Sequence, residues 1–215
     1  MKIKLLIFDF DGTLADTKAL IVTIKQEVMR KMGMKVESEE VCASTIGLPL
    51  EESYRAMYPT MPESMIAECS DMYRKLFDEM KDSMPPTLFP GIREVLAEIK
   101  RRGITMTIVT SRNSDSLNEF LNKWGIEGYF PYVLGGSDTA KNKPDPEPVL
   151  KTLSDLSYDA SEALVVGDMP YDIQMGKGAG AYTCGVTYGN SDRDALTASG
   201  ADYVIDRIGE LLDII

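Results

Sequence analysis

The sequence predicts an α/β fold in which a mostly parallel sheet carries helices on both faces. Apolar runs of strand length alternate with helical apolar patterns over residues 86–215, and such alternation is typical of parallel sheets. A further strand is predicted at the start of the chain, and the segment between it and residue 86 shows helical patterns alone. We therefore expect a Rossmann-like core domain of residues 1–15 and 86–215, with an all-helical cap domain of residues 16–85 inserted after the first strand.

The first strand is predicted over residues 3–8, where only Lys4 interrupts an apolar, β-branched run. It ends in the pentapeptide Asp9-Phe10-Asp11-Gly12-Thr13. An unpaired buried carboxylate is unfavourable, whereas the carboxyl edge of an open α/β sheet is where ligands bind. Two neighbouring carboxylates repel each other, and a divalent cation would relieve that repulsion. Taken alone, the pentapeptide is equally compatible with an ordinary Asp-Gly turn after a strand.

Four helices are predicted in the inserted segment. Each combines an apolar face at helical spacing with a start or stop signal such as a capping residue, a proline or a glycine. They cover residues 17–33, 39–46, 49–54 and beyond, and 65–80. Asp16 or Thr17 is the candidate cap of the first helix. Nothing in the segment shows the alternation of a strand, and its methionines are interpreted as filler of a helical core.

Strands and helices then alternate to the end of the sequence. Strands are predicted at residues 105–109, 132–134, 163–166, 181–186 and 203–205. Helices are predicted over residues 92–103, 117–125 and 149–153, from Tyr171 onward, and at the C-terminus. The first two of these helices end at Gly103 and Gly125, as helices commonly do.

Charge and composition exclude several classes of function. A formal net charge of −11 argues against a nucleic-acid binder, because a phosphate backbone would be repelled. The chain contains no histidine, which removes histidine bases, histidine-activated nucleophiles and histidine metal ligands. The chemistry that remains is that of carboxylates, lysine and hydroxyl groups.

The cysteines and the apolar runs indicate where in the cell the protein is expected. Cys42, Cys69 and Cys184 are scattered without the spacing of a metal site, and we interpret them as reduced thiols of a cytoplasmic protein. The N-terminal apolar run is too short for a signal peptide, and no segment approaches the length of a membrane span. We expect a cytoplasmic protein without nucleic-acid or membrane partners, either a monomer or a weak homodimer.

Three later segments carry polar groups at predicted strand ends or in loops. Thr110 and Ser111 offer hydroxyl and backbone N–H groups just before a helix, a position suited to an anion. Lys143 lies in a loop that neighbouring prolines hold extended. Asp168 follows a buried strand, and Asp172 lies near the start of a helix. Each has a plainer interpretation as a helix cap, a solvated loop charge or a first-turn acid.

Taken together with Asp9 and Asp11, these residues form a consistent set. They comprise a nucleophilic carboxylate, a second carboxylate beside it, an anion cradle, a fixed cation and further acids. Phosphoryl transfer needs these parts, because its catalysis depends on positioning and on neutralising charge. A pocket of carboxylate oxygens that also holds a phosphate suits Mg²⁺. A metal and a lysine would also let an acidic protein bind an anionic substrate.

The same residues resemble the motifs of the haloacid dehalogenase superfamily, in order and in spacing, over essentially the whole chain. The motifs in this sequence are Asp9-Phe10-Asp11-Gly12-Thr13-Leu14, Thr110, Lys143-Pro144 and Gly167-Asp168-Met169-Pro170-Tyr171-Asp172. The helical insert resembles the cap of the phosphoglycolate phosphatase and β-phosphoglucomutase branch. The resemblance implies a Mg²⁺-dependent phosphatase that hydrolyses a small phosphomonoester, a phosphorylated metabolite, through an aspartyl-phosphate intermediate.

The resemblance also implies a role for each residue of the catalytic pair and of the phosphate site. Asp9 is the nucleophile. Asp11 is the general acid and then the base, and its backbone carbonyl is a ligand of the metal. Thr110, with the backbone of Ser111, holds the transferring phosphate. Lys143 neutralises Asp9 and the phosphate.

The remaining expectations concern the metal and the cap. By the resemblance, Asp9 and Asp168 bind the metal with Asp11, and Asp172 orders the water shell of the metal. Gly47, in the loop Gly47-Leu48-Pro49-Leu50, resembles the part of the cap that faces the substrate.

Members of the superfamily with other activities differ from this sequence at identifiable positions. Mutases usually place an arginine shortly after the glycine equivalent to Gly47, and here Arg55 comes several residues later, which favours a hydrolase over a phosphosugar mutase. We interpret Arg55 and Arg112 as solvated helix charges. True dehalogenases lack a carboxylate at the position of Asp11, and no cap lysine is identified for the Schiff-base chemistry of the phosphonate-cleaving members.

A non-enzymatic alternative is a receiver-like phospho-signalling domain. Such domains also combine an acidic pair, a phospho-accepting aspartate, a hydroxyl residue and a lysine on a parallel sheet. Their acceptor follows the acidic pair on a third strand, and they lack a helical insert. The order of the acids in this sequence therefore favours the enzyme.

Overall fold

The computed structural model describes residues 2–215. Met1, which the prediction assigns to the core domain, lies outside the described residues. The strands are β1 (Leu5–Phe8), β2 (Ala15–Asp16), β3 (Thr87–Leu88), β4 (Thr105–Val109), β5 (Tyr132–Leu134), β6 (Ala163–Gly167), β7 (Tyr182–Val186) and β8 (Tyr203–Ile205).

Six of these strands form one sheet in the order β5-β4-β1-β6-β7-β8. Every neighbouring pair in it is parallel, so the predicted α/β class is confirmed. Strand β1 lies in the middle and all four of its residues are buried, as expected for a strand covered on both faces. Whatever follows β1 therefore lies at the centre of the carboxyl edge of the sheet.

The α-helices are α1 (Lys18–Lys31), α2 (Glu39–Ala43), α3 (Leu50–Met57), α4 (Glu63–Met80), α5 (Ile92–Arg101), α6 (Ser114–Trp124), α7 (Glu147–Leu156), α8 (Pro170–Gly178) and α9 (Arg193–Ala198). The predicted C-terminal helix is a 3₁₀ helix, Ile208–Asp213. Helix α9 had no sequence prediction, because its short span buries only Leu196. No helix within residues 2–215 is long and apolar enough to cross a membrane.

A small antiparallel pair joins the two ends of the helical segment. Strand β2 pairs with β3, with Ala15 opposite Leu88 and Asp16 opposite Thr87. The expectation that nothing in residues 16–85 forms a strand is wrong at Asp16, because a two-residue strand is too short to show alternation. Thr17 precedes α1 without a capping side-chain hydrogen bond. The division into core and cap domains stays a prediction.

The alternation of side chains along β1 divides the apolar core between the two faces of the sheet. Leu6 and Phe8 belong to a cluster that includes residues of α5, α6 and the helices α1, α3 and α4. Leu5 and Ile7 belong to a second cluster with residues of α7 and α8. The helical segment therefore packs on the same side of the sheet as α5 and α6.

Candidate active site

Three adjacent strands place polar side chains at one edge of the sheet. Asp9 follows β1, Thr110 follows β4, and Asp168 follows Gly167 at the end of β6. Strand β1 pairs with both of the others, so the three side chains come together although they are distant in sequence. This is the edge at which open α/β sheets bind ligands.

The chain turns sharply after β1. The carbonyl of Phe10 accepts hydrogen bonds from the backbone N–H groups of Leu14 at 3.0 Å and Ala15 at 2.9 Å. Gly12 has a φ of +91°, and a Cβ at this position would lie 2.2 Å from Oδ2 of Asp168. The positive φ thus occurs at a glycine, and the absence of a side chain there lets the carboxylate of Asp168 approach the backbone.

Three carboxylates and one lysine meet below this turn. Asp9, Asp168 and Asp172 each offer an oxygen atom, and these atoms lie within 4.8 Å of one another. Lys143 Nζ donates a hydrogen bond to Asp9 Oδ1 and lies 2.6 Å from Asp172 Oδ1. All four residues are buried. With every group ionised, the cluster carries an excess of two negative charges.

The titration of the cluster reflects this excess. Burial raises the pKa of Asp9 well above its usual range, and repulsion from Asp172 and Asp168 adds to the effect against the attraction of Lys143. Burial also raises the pKa of Asp168 to about 7, with Asp172 adding to the shift. For Lys143, burial disfavours the ammonium, but Asp172 and Asp9 outweigh it and the pKa is raised. The cluster therefore favours the uptake of positive charge.

The donor set fits a divalent cation. Among the described residues, Asp9 Oδ2 is buried and has no hydrogen-bond partner, so the fold leaves one oxygen of the cluster unengaged. Every candidate donor is a carboxylate oxygen, the ligand type that hard divalent cations prefer. The carboxylate of Asp11 is not part of the cluster. The metal ligand expected at Asp11 from the sequence is its backbone carbonyl.

Asn190 holds the carboxylate of Asp168 in place. Its backbone N–H and its side-chain Nδ2 both donate to Asp168 Oδ2, at 2.7 and 2.8 Å. Thr13 Oγ1 lies 3.4 Å from the other oxygen, Oδ1. Sequence analysis did not identify Asn190 because it follows no strand directly. The glycine before it, Gly189, was the available signal, since a Cβ there would lie 2.4 Å from the Cβ of Asp168.

The carboxylate of Asp11 is paired with Arg112. Arg112 Nε donates to Asp11 Oδ2 at 3.0 Å and Nη2 donates to Oδ1 at 2.5 Å, while Nη1 donates to Ser116 Oγ at 2.9 Å. The side chain of Arg112 is only 8% exposed. The interpretation of Arg112 as a solvated charge is wrong. The signal in the sequence was its position directly after Thr110 and Ser111.

Aromatic rings explain why Arg112 is buried. Its guanidinium lies over the rings of Phe10, Phe77 and Phe120, at 5.5, 5.0 and 5.3 Å from their centroids. Trp124 extends the group by stacking on Phe10, with a centroid distance of 5.9 Å. Phe77 belongs to α4 of the helical segment, so its arrival over Arg112 depends on tertiary packing. Arg55, by contrast, lies on α3 with a side chain that is 37% exposed, and it pairs with Glu52 and Glu63.

The predicted phosphate-binding residues lie beside the loop of the helical segment. Thr110 Oγ1 accepts a hydrogen bond from the backbone N–H of Arg112 at 3.2 Å, which leaves its own hydroxyl hydrogen available. Ser111 Oγ donates to the carbonyl of Gly47 at 2.7 Å. Asn113, not Thr110 or Ser111, caps α6, so the plainer interpretation of these hydroxyls as helix caps does not hold.

These groups open onto a cavity of about 630 Å³. A cavity of this size accommodates a small metabolite. Its lining from the sheet edge includes Asp9, Asp11, Thr110, Ser111 and Arg112, and its lining from the helical segment includes Lys25 and Gly47. Of the predicted site residues, Lys143, Asp168 and Asp172 lie behind the lining, in contact with Asp9 or one another. Sequence analysis gave no role to Lys25.

Comparisons with known proteins agree on one family of similar proteins. The family model described as haloacid dehalogenase-like hydrolase matches residues 6–186. A Clostridium perfringens protein assigned as pyrophosphatase PpaX is 38% identical over 213 residues, which cover 99% of this chain and 97% of the relative. A phosphoglycolate phosphatase of Vibrio parahaemolyticus is 32% identical, with 99% of this chain and 96% of the relative covered.

A solved structure shows the same likeness. The crystal structure of a Bacteroides fragilis protein assigned to the haloacid dehalogenase-like hydrolases matches with a TM-score of 0.92 and 29% identity. The match covers 98% of this chain and 100% of that one.

Proposed function

Because the chain belongs to the haloacid dehalogenase-like hydrolase family, we propose that it is a Mg²⁺-dependent phosphatase that hydrolyses a small phosphomonoester through a phosphorylated Asp9. One observation carries the proposal. Asp9 is buried at the end of the central strand with Oδ1 bonded to Lys143 and Oδ2 without a partner, and it lines a cavity of the size of a metabolite. A carboxylate held in this way is arranged to act as a nucleophile.

The first half of the reaction transfers the phosphoryl group to Asp9. Oδ2 of Asp9 attacks phosphorus while Lys143 keeps Oδ1 fixed, and the bond to the leaving oxygen breaks. The hydroxyl of Thr110 and the backbone of Ser111 hold the phosphate oxygens. Asp11 gives its proton to the leaving oxygen. In the second half, Asp11 takes a proton from water, which attacks phosphorus and releases phosphate from Asp9.

Arg112 governs the availability of Asp11 for this role. It donates to both carboxylate oxygens of Asp11, so the carboxylate stays engaged until one of these bonds opens. An anionic substrate in the cavity attracts the guanidinium and competes with Asp11 for it. We therefore infer that substrate binding frees Asp11 for proton transfer.

The metal would be held by Asp9 and Asp168, with Asp172 nearby and the backbone carbonyl of Asp11 as a further ligand. When bound there, Mg²⁺ supplies the positive charge that neutralises the carboxylates and the phosphate. The excess negative charge of the cluster, and the three carboxylate oxygens that lie within 4.8 Å of one another, support this assignment.

The hydrolase is favoured over a phosphosugar mutase. Arg55, the candidate for the arginine that mutases place near the substrate, is engaged by Glu52 and Glu63 at the surface. The relatives named phosphoglycolate phosphatase and pyrophosphatase support a small, compact phosphorylated substrate. Free, buried cysteines support the expected cytoplasmic location, and a monomer or weak homodimer stays a prediction.

Hydrolysis of an aryl phosphate such as p-nitrophenyl phosphate should require Mg²⁺ and be inhibited by Ca²⁺. Ca²⁺ takes more ligands at longer distances than Mg²⁺, so it would displace the Asp9 nucleophile from its position. Release of p-nitrophenol, followed by absorbance with Mg²⁺, with excess chelator and with added Ca²⁺, measures the effect. Full activity in excess chelator would overturn the proposed metal dependence.

Mg²⁺ should also stabilise the fold, and more strongly at about pH 8 than at about pH 5.5. The pKa of Asp168 is about 7 in the fold against an ordinary value of 3.8, so between these values the folded chain holds a proton that the unfolded chain releases. The stability of the metal-free protein therefore falls as the pH rises through this window. Mg²⁺ competes with that proton, and at saturation we expect a rise in Tm of about 5–10 °C.

Differential scanning fluorimetry with and without Mg²⁺ measures this shift. Asp168→Asn removes both the ligand charge and the titration, so the variant should lose most of the shift at either pH. Asp71→Asn, at an exposed site on α4, is the matched control. A shift of equal size at the two pH values, or one that survives in Asp168→Asn, would contradict the assignment of Asp168 to the metal.

A further inference from the structure

Lys25 is a buried lysine that the proposed reaction does not use. It lies on α1 and is only 3% exposed, yet it lines the cavity above Asp9 and Asp11. Its Nζ donates hydrogen bonds to the carbonyl of Cys42 at 3.1 Å and to Thr45 Oγ1 at 2.7 Å. An ammonium group has three donors, so one remains for a further acceptor.

Lys25 differs from the other cations around the cavity. Three basic side chains line it, those of Lys25, Arg74 and Arg112. Arg74 pairs with Glu51 and Arg112 pairs with Asp11. Within residues 2–215, Lys25 forms no ion pair, and burying an ammonium without a carboxylate is energetically unfavourable. Asp11 acts on Lys25 through its charge without a direct ion pair, so the cavity contains one lysine that no described carboxylate contacts.

A purely structural role does not account for this residue. Lys25 does bond to the carbonyl of Cys42 near the end of α2, but Thr45 Oγ1 already donates to the same oxygen at 3.0 Å. A neutral donor could therefore meet the needs of α2 without a buried charge. Burial lowers the pKa of Lys25 to about 7, and a bound anion would favour its charged form again.

We propose that Lys25 is a specificity-determining residue that binds a second anionic group of the substrate, a carboxylate or a second phosphate, while the transferring phosphate lies at Asp9. The preferred substrate is then a small phosphate compound with two separate anionic ends. Lys25 reaches the cavity from α1, and Lys143 lies beside Asp9 at the sheet edge, so each end of such a substrate has a lysine near it. This inference rests on the proposed phosphatase activity.

Three probes with different groups beyond the transferring phosphate test the proposal. They are ethyl phosphate, with an uncharged end, 2-phosphoglycolate, with a carboxylate, and pyrophosphate, with a second phosphate. Ethyl phosphate and 2-phosphoglycolate both release an alkoxide, whereas pyrophosphate releases phosphate, so pyrophosphate is judged by its change between the wild type and the Lys25 variants. The wild-type protein should have a higher kcat/KM for one or both of the doubly anionic probes than for ethyl phosphate. The anionic probe whose kcat/KM falls more in the Lys25 variants identifies which anion the site accepts.

Lys25→Gln keeps a hydrogen-bond donor for Cys42 and Thr45 but removes the charge. It should lower kcat/KM for the preferred anionic probe by roughly 10- to 100-fold, the usual effect of losing a hydrogen bond to a charged group, mainly through KM. Ethyl phosphate should change by less than about 3-fold, since it has no group for Lys25 to bind. Lys25→Arg should recover part of the loss. Lys31→Met, at an exposed position of the same helix, should resemble the wild type.

The outcomes separate the two proposals. If wild-type protein with Mg²⁺ hydrolyses neither these probes nor p-nitrophenyl phosphate, the proposed function is overturned. If it hydrolyses ethyl phosphate as well as both anionic probes, or if Lys25→Gln lowers all three values equally, the proposal for Lys25 is overturned while the phosphatase stands. The wild-type comparison decides in this way even if a Lys25 variant fails to fold.

Discussion

Asp9→Asn should abolish turnover and leave no phosphorylated enzyme. The amide is close in size to the carboxylate but is a far weaker nucleophile, and it removes the negative charge that Lys143 holds in place. Since the whole reaction passes through this oxygen, we expect kcat to fall by roughly four orders of magnitude or more. Phosphate release from a small phosphomonoester gives the rate, and intact-mass measurement after rapid acid quench detects the added phosphoryl group.

The control for this variant is Asp71→Asn, an identical change at an exposed aspartate that pairs only with Arg74. It should retain wild-type turnover. Circular dichroism of both variants establishes that the fold is intact. A phosphoryl adduct that still forms in Asp9→Asn would mean that another residue is the nucleophile, and the proposed mechanism would fail.

Asp11→Asn should slow turnover of an alkyl phosphate by roughly two to four orders of magnitude. The variant keeps the shape of Asp11 but cannot exchange protons with the leaving oxygen or with water. A substrate with an activated leaving group needs no proton from Asp11, so some phosphorylated Asp9 should still accumulate and hydrolyse slowly. The same acid-quench mass measurement distinguishes the two carboxylates by this intermediate.

Comparing activated and unactivated substrates provides the internal control for Asp11→Asn. The loss should be larger with an alkyl phosphate than with p-nitrophenyl phosphate, because only the alkyl leaving group requires protonation. Wild-type turnover of an unactivated alkyl phosphate by this variant would show that Asp11 is not the acid and base. In that case, the pair with Arg112 would have a structural role alone.

The sequence was sufficient to predict the sheet because its central strands, β1 and β6, contain no polar side chain. Such runs are typical of strands buried on both faces, and their alternation with helical patterns indicates a helix-covered parallel sheet. The residues that follow β1, β4 and β6 were then brought to one edge by topology alone. Strands β2 and β3 escaped prediction because a two-residue pair is set by its neighbours and not by its own pattern.

The functional residues that the sequence did not reveal were missed for a different reason. Lys25 lies on α1 and Arg112 lies in the loop before α6, and charged side chains at such positions are usually exposed. Their burial depends on contacts between distant parts of the chain, with Phe77 covering Arg112 and the loop near Cys42 and Thr45 enclosing Lys25. Such contacts leave no trace in local periodicity, so only the folded structure identifies these two cations.

The aromatic group around Arg112 also has an optical consequence. Trp124 is the single tryptophan of the chain, and it stacks on Phe10 beneath the guanidinium that holds Asp11. Indole emission depends on nearby charge, so a ligand that draws Arg112 away from Asp11 alters the surroundings of the chain's one indole fluorophore. Binding in the cavity can thus be followed in the unlabelled protein, separately from turnover.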